Sequence, residues 1–256
     1  MSSDIVEIFV PAQYDVPIYK LNKSLTSLGI KYKLIDEMFI HGDSSYLVIG
    51  KPESGKTTLC YNVINKYCKD DNIRIYYLSS RDEIVNQLNK VPYVFAKKLT
   101  YDNLYYIWKL IKKNETPEGT NAKSVLLIED VDLTMKELSK SNSQVEIEND
   151  NDKMTISISK AFNDLLNDIC TKSRRYNTVN VITCSYWSII DFKNSMKNFI
   201  IMDSETADSL RLLKTFGTAE LRNAVLSISK ELKEYPYNPL VIMNNEVFIT
   251  KPRNKF

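Results

Sequence analysis

The sequence predicts an α/β fold, a mainly parallel central sheet with helices packed on both faces. Three features point to it. From Tyr46 onward, short apolar runs alternate with segments whose apolar residues recur at helical spacing. Two of those runs, Tyr46-Leu47-Val48-Ile49 and Ser124-Val125-Leu126-Leu127-Ile128, are continuous instead of alternating, as strands covered on both faces require. The first run leads directly into Gly50-Lys51-Pro52-Glu53-Ser54-Gly55-Lys56-Thr57-Thr58, a glycine-bounded turn with an amphipathic segment behind it. A chain with only 6 glycines sets two of them at the ends of this one turn.

Taken in order, residues 1–45 read as a small N-terminal extension, with an edge strand at 5–10 and a mixed segment over 21–39. A single domain follows over 46–256. Its first strand covers 46–49, and Leu59, Val63, Ile64 and Tyr67 then mark a helix over 56–67. Residues 73–78 form the next strand and 82–88 a short helix. Leu104, Ile107, Trp108 and Ile111 define a longer helix over 102–113. The strand 124–128 ends on Glu129-Asp130. The polar, acidic stretch "SKSNSQVEIENDND" then has little to bury, so 139–155 reads as an exposed, flexible insertion. A helix over 156–172, strands at 179–184 and 199–202, and helices at 207–215 and 219–232 follow. The last two short strands, 240–243 and 247–250, pair as an antiparallel edge.

Composition narrows the chemistry. Lys plus Arg number 34 against 32 Asp plus Glu, and the net charge of +2 creates no global field for a polyanion. Any contact with nucleic acid must be local. The 4 cysteines, Cys60, Cys68, Cys170 and Cys184, show no CxxC pairing and fit buried, reduced thiols. No segment reaches the roughly 18 apolar residues of a membrane span, and the N-terminus carries no leader pattern. His41 is the only histidine, which leaves histidine triads and multi-histidine metal sites almost nothing to work with.

The turn fits G-x-x-x-x-G-K-[ST] in its confirming context, strand before and helix after. Gly50 and Gly55 let backbone N–H groups of Lys51, Pro52's neighbours, Glu53 and Ser54, and the helix start at Lys56, Thr57 and Thr58, face phosphate oxygens. Lys56 then neutralises the β- and γ-phosphates of ATP, and the Thr57 hydroxyl ligates Mg²⁺. Such a site needs an acid at a neighbouring strand end, and Glu129-Asp130 supplies it. Glu129 assists Mg²⁺ and Asp130 orients or activates water, or the two exchange roles. No Asn-Lys-x-Asp motif is present, which disfavours a GTPase. A kinase with a small acceptor remains a second class, although the paired Arg174-Arg175 precede a core strand instead of lying in a lid.

Four stretches in order, "YLVIGKPESGKTT", "NIRIYYLSSRDE", "SVLLIEDVD" and "SRRYNTVNVITCSYW", together with the fainter "NPLVIMNNEVFITKPR", resemble the poxvirus-type viral genome-packaging ATPases of the FtsK/HerA superfamily. The resemblance spans residues 46–250. It implies a RecA-like fold and ATP hydrolysis coupled to moving double-stranded DNA into a preformed capsid. It further implies a homo-oligomeric ring, a capsid or portal-type vertex as partner, and a place in the virion or at the viral assembly site in the host cytoplasm. Arg174 matches an arginine that would serve as a finger to a neighbour's γ-phosphate. Ser185 stands where glutamine is customary, which leaves γ-phosphate sensing to Thr183 or Ser185. Glu53 replaces a small residue such as glycine and sets a carboxylate beside the phosphate cradle. Glu53 and Ser185 together keep open a non-hydrolysing nucleotide-binding virion protein. Lys193, Lys197, Lys251, Arg253 and Lys255 are candidate phosphate contacts on DNA, and Tyr186 and Trp187 candidate linings of a moving loop.

Overall fold

The computed structural model describes residues 32–35, 45–113, 122–149, 152–186, 196, 198–202, 240–243 and 246–250. Among them the chain order is β1 (Tyr32–Ile35), β2 (Ser45–Ile49), α1 (Lys56–Tyr67), β3 (Arg74–Ser79), α2 (Asp82–Leu88), β4 (Val94–Lys98) and α3 (Tyr101–Lys112). Then come β5 (Ser124–Glu129), α4 (Val131–Ser139), β6 (Gln144–Asn149), β7 (Asp152–Ser157) and α5 (Ile158–Lys172). A single 3₁₀ turn (Ser173–Tyr176), β8 (Thr178–Cys184), β9 (Asn198–Ile201), β10 (Leu240–Met243) and β11 (Glu246–Thr250) complete the described chain.

Among the described residues nine strands form one sheet in the order β1-β11-β10-β9-β2-β8-β5-β3-β4. From β9 to β4 every neighbouring pair is parallel, and only β10 runs against its two neighbours. The alternation of each strand sends one set of side chains to each face. Leu47, Ile49, Tyr76, Leu78, Leu126, Ile128 and Ile182 pack under α3, α4 and α5, where Trp108 and Phe162 are fully buried. Tyr46, Val48, Ile75, Tyr77, Val125, Leu127 and Val181 pack under α1 and α2. Both faces are therefore covered, which accounts for the continuous apolar runs within β2 and β5.

Several elements depart from the sequence reading. The terminal strands do pair antiparallel, but β1 adds itself in parallel outside β11, so that pair is not the edge and the assigned extension contributes a strand. Residues 144–157 are not an irregular insertion: β6 and β7 form a hairpin from Gln144↔Ser157 to Asn149↔Asp152. Val145, Ile147 and Ile156 sit half-buried at alternate positions there, a period-2 signal masked by the surrounding acids. Helix α5 starts at Ile158 instead of 156, because the Ser157 hydroxyl accepts from the Lys160 N–H and caps it. The four cysteines are free, and Cys60, Cys170 and Cys184 are buried. No described helix is long and apolar enough to cross a membrane. The strand expected at 5–10 and the helices at 207–215 and 219–232 lie outside the described residues.

Candidate functional site

Parallel strands deliver all their C-terminal ends to one edge of the sheet, where α/β folds place their ligand crevice. Here β2 ends in the glycine turn, β5 in the two acids and β8 in Ser185. Because β8 lies between β2 and β5, its tip stands between the turn and the acids.

The turn is anchored at its start by the Gly50 N–H, which donates to the Cys184 carbonyl at 3.3 Å. At its end Gly55 adopts φ 92, and the Leu59 N–H reaches the Gly55 carbonyl at 2.9 Å to begin α1. A Cβ on Gly50 would run into Ser54 Oγ and lie 2.7 Å from Met202 Cβ, so only glycine fits. Glu53 takes φ 65, a left-handed conformation that glycine adopts without strain, and its side chain is exposed. Its carboxylate thus stands toward solvent and not in the cradle.

Lys56 is buried with its ammonium folded back over the loop. Nζ donates to the Gly50 carbonyl at 2.8 Å, the Lys51 carbonyl at 3.0 Å and Ser185 Oγ at 3.1 Å. All three partners are neutral, which leaves the cation available to an anion. Ser54 Oγ is buried without a partner in the same loop. Helix α1 has no acidic residue in its own first turn, so its N-terminal end offers a positive dipole to an anion. A buried cation, an orphaned hydroxyl and a bare helix N-terminus fit a phosphate group.

Glu129 is wholly buried and every donor around it is accounted for. Oε1 accepts from the Thr57 hydroxyl and from Arg81 Nη2 at 2.8 Å. Oε2 accepts from the Tyr77 hydroxyl at 2.7 Å and Ser79 Oγ at 2.9 Å. Successive strand residues ordinarily face opposite sides, yet Asp130 Oδ2 reaches the same Arg81 nitrogen at 2.8 Å. The reason is local: Asp130 turns into the left-handed region at φ 52, and its N–H is fixed by Thr183 Oγ1 at 2.9 Å. Burial, and next the charge of Glu129, raise the Asp130 carboxyl above the usual aspartate range against the pull of Arg81 and Lys56. That shift moves it toward the working range of a general base. Asp132, also buried, accepts the Ser185 and Tyr186 N–H groups at 3.1 Å each and so holds the tip of β8 against Lys56.

Thus the structure brings Lys56, Thr57, Glu129, Asp130 and Ser185 together, with Thr183 serving the backbone of Asp130. Arg174 lies apart. It is exposed in the 3₁₀ turn before β8, and the strand's 7 residues separate it from Ser185 by roughly 20 Å. It does not reach its own chain's site. Tyr186 is exposed, while Trp187, Lys193, Lys197, Lys251, Arg253 and Lys255 lie outside the described residues. Sequence reasoning missed Arg81, Tyr77, Ser79 and Asp132. The available signal was "YYLSSRDE", in which Tyr77 and Ser79 alternate onto one face and Arg81 follows the strand end.

No protein-family profile matches the chain, and no curated protein matches it in sequence. Solved structures do. The DNA-packaging ATPase B204 of Sulfolobus Turreted Icosahedral Virus superposes with a TM-score of 0.55 at 14% identity, over 83% of this chain and 98% of that one. This chain has the RecA-like P-loop ATPase fold. The genome packaging NTPase B204 of Sulfolobus turreted icosahedral virus 2, in complex with ATP-gammaS, gives 0.52 at 13% identity over the same shares, 83% and 98%. EssC (ATPases 2 and 3) from Geobacillus thermodenitrificans gives 0.55 at 12% identity, over 83% of this chain and 40% of that one. At these identities the likeness is one of fold; in this chain's described residues that fold is a mainly parallel sheet presenting the glycine turn at its C-terminal edge.

Proposed function

We propose that the chain is an ATP-hydrolysing motor that moves double-stranded DNA into a preformed viral capsid, working as a ring of identical subunits. The observation that carries the reading is the convergence of Lys56, Thr57, Glu129, Asp130 and Ser185 at one sheet edge. The fold shared with packaging ATPases supports DNA as the substrate to be moved, with a capsid or portal-type vertex as the partner and the virion or viral assembly site as the location.

Each residue has a part that follows from its place. The loop from Gly50 to Thr58 wraps the phosphates, and Lys56 exchanges its neutral partners for phosphate oxygens. Thr57, Glu129 and Asp130 would hold Mg²⁺, which supplies charge neutralisation on the phosphates. Glu129 keeps Thr57 oriented, and Asp130, beside the metal, orients or activates the attacking water. Ser185, positioned by Asp132, links Lys56 to β8 and reports phosphate loss to the segment that follows. Arg174, at the opposite end of the sheet, would act on a neighbouring subunit's γ-phosphate, which makes turnover depend on assembly.

The deciding experiment is steady-state ATP hydrolysis by the full chain, with and without double-stranded DNA, beside Lys56→Ala. Turnover that rises with DNA and disappears in the variant is the expected result. ATP binding without turnover in either condition would overturn the motor and favour a non-hydrolysing virion protein. Phosphoryl transfer to a nucleoside or nucleotide by a monomer would favour a kinase.

A further inference from the structure

Arg81 carries no role in the reading of the sequence, yet one of its nitrogens occupies the centre of the acidic cluster. Nη2 lies 2.8 Å from Glu129 Oε1, 2.8 Å from Asp130 Oδ2 and 3.2 Å from Thr57 Oγ1. These are the three side chains assigned to the metal ion, and a single cationic atom already sits within reach of all of them. We propose that Arg81 is a displaceable counter-ion, a positioning residue that holds the metal-binding oxygens in place until the metal and nucleotide enter together and expel it. The inference rests on the reading of Thr57, Glu129 and Asp130 as the metal-holding set.

Two further observations support it. The Glu129 side chain is 0% exposed and that of Asp130 12%, so the pair needs a cation at all times to offset burial of two like charges. Arg81 itself is 47% exposed and immediately precedes α2, so its long side chain has open solvent into which to withdraw. Metal and guanidinium cannot share the same oxygens at the same distances. Free Mg²⁺ alone must therefore compete with Arg81, whereas Mg²⁺ carried on nucleotide brings phosphate ligands that favour the exchange. The arrangement would keep divalent cations out of the nucleotide-free site.

The test measures Mn²⁺ binding to the full chain without nucleotide, by the loss of the free-ion EPR signal, for wild type, Arg81→Gln and Arg81→Lys. Removing the counter-ion should tighten Mn²⁺ binding in Arg81→Gln by at least about tenfold, whereas Arg81→Lys stays near wild type. In EDTA, Arg81→Gln should melt below wild type and recover more than wild type on adding Mn²⁺. A residue that merely braces the loop would weaken the metal site when replaced. Equal or weaker Mn²⁺ binding by Arg81→Gln therefore overturns the proposal. Should that variant not fold, the anomalous Mn²⁺ peak in crystals of wild type with AMPPNP decides. A peak among Thr57, Glu129 and Asp130 with Arg81 withdrawn supports the proposal, and Arg81 still bridging both carboxylates defeats it. Nucleotide uptake by the wild type separates the two readings. A chain that takes up no AMPPNP loses the motor reading, while the Mn²⁺ comparison still tests Arg81.

Discussion

Asp130→Asn is expected to raise the melting temperature of the nucleotide-free protein while removing ATP turnover. The Asp130 carboxyl titrates above the usual aspartate range, first because of burial and next because of Glu129. A folded value above the unfolded one favours the folded state most below the unfolded pKa, about 4. That contribution is lost as pH rises through the folded value, so at neutral pH the ionised group weighs against folding. Geometry sets the size of the effect. Asp130 Oδ2 and Glu129 Oε1 each lie 2.8 Å from one Arg81 nitrogen, so the two oxygens are no more than twice that distance apart. At that limit two like charges repel by roughly 3 kcal/mol at an effective dielectric of about 20. Asparagine removes this repulsion together with the cost of burying a charge, and it gives up the Arg81 attraction while still offering an amide oxygen; the upward shift of the carboxyl makes burial plus repulsion the larger side of that balance. Its backbone adapts readily, because φ 52 is a conformation asparagine adopts more easily than most residues. A net gain of about 1–2 kcal/mol corresponds to roughly 2–6 °C in a chain of this size. Turnover should fall at least about 10²-fold with the loss of the base. Thermal melts from about pH 5 to 8 beside hydrolysis rates test both halves, and the gain should shrink toward acid pH. A lower melting temperature at neutral pH, or a gain that grows on acidification, would refute the reasoning.

Glu53→Gly should relieve the left-handed strain at φ 65 and remove a carboxylate near the cradle. Calorimetry should show ATP binding about threefold tighter at low salt, with the difference shrinking at high salt as the exposed charge is screened. Asp132→Asn replaces a two-oxygen acceptor that serves the Ser185 and Tyr186 N–H groups, leaving one of them facing an amide NH₂. Denaturant titration should show a loss of about 1–3 kcal/mol with an unchanged slope. Weaker ATP binding should accompany it, because Ser185 is no longer held against Lys56.

Legibility in the sequence followed the range over which each feature is determined. Strand β2, the glycine turn and α1 are contiguous, and their turn chemistry and periodicity are written within residues 45–67. Strand β5 was equally plain, since Val125 to Ile128 are covered on both faces and form an unbroken apolar run. Strand β4 escaped notice because only Val94 and Ala96 turn inward, whereas Phe95, Lys97 and Lys98 are exposed at the sheet edge. Helix α4 was hidden by its short length and by Asp132, an acid in its first turn that is buried instead of solvated. The β6–β7 hairpin shows why acidic composition alone is a poor guide. A few half-buried residues at alternate positions suffice to place a strand against its partner and the start of α5.

The sequence by itself determined the phosphate loop, the acid-bearing strand and the parallel α/β class, because these depend on neighbours a few residues apart. Only the tertiary structure decided which distant residues complete the site. Parallel strands joined by helical crossovers lie in an order unrelated to chain order, and that order set β8 between β2 and β5. Ser185 thereby met Lys56, and Asp132 took the tip of β8. Arg81 entered from the end of β3, where Ser79 aligns with Glu129. Register across the sheet, and the left-handed turn at Asp130 that aims two successive carboxylates at one nitrogen, are properties of packing that no local pattern carries.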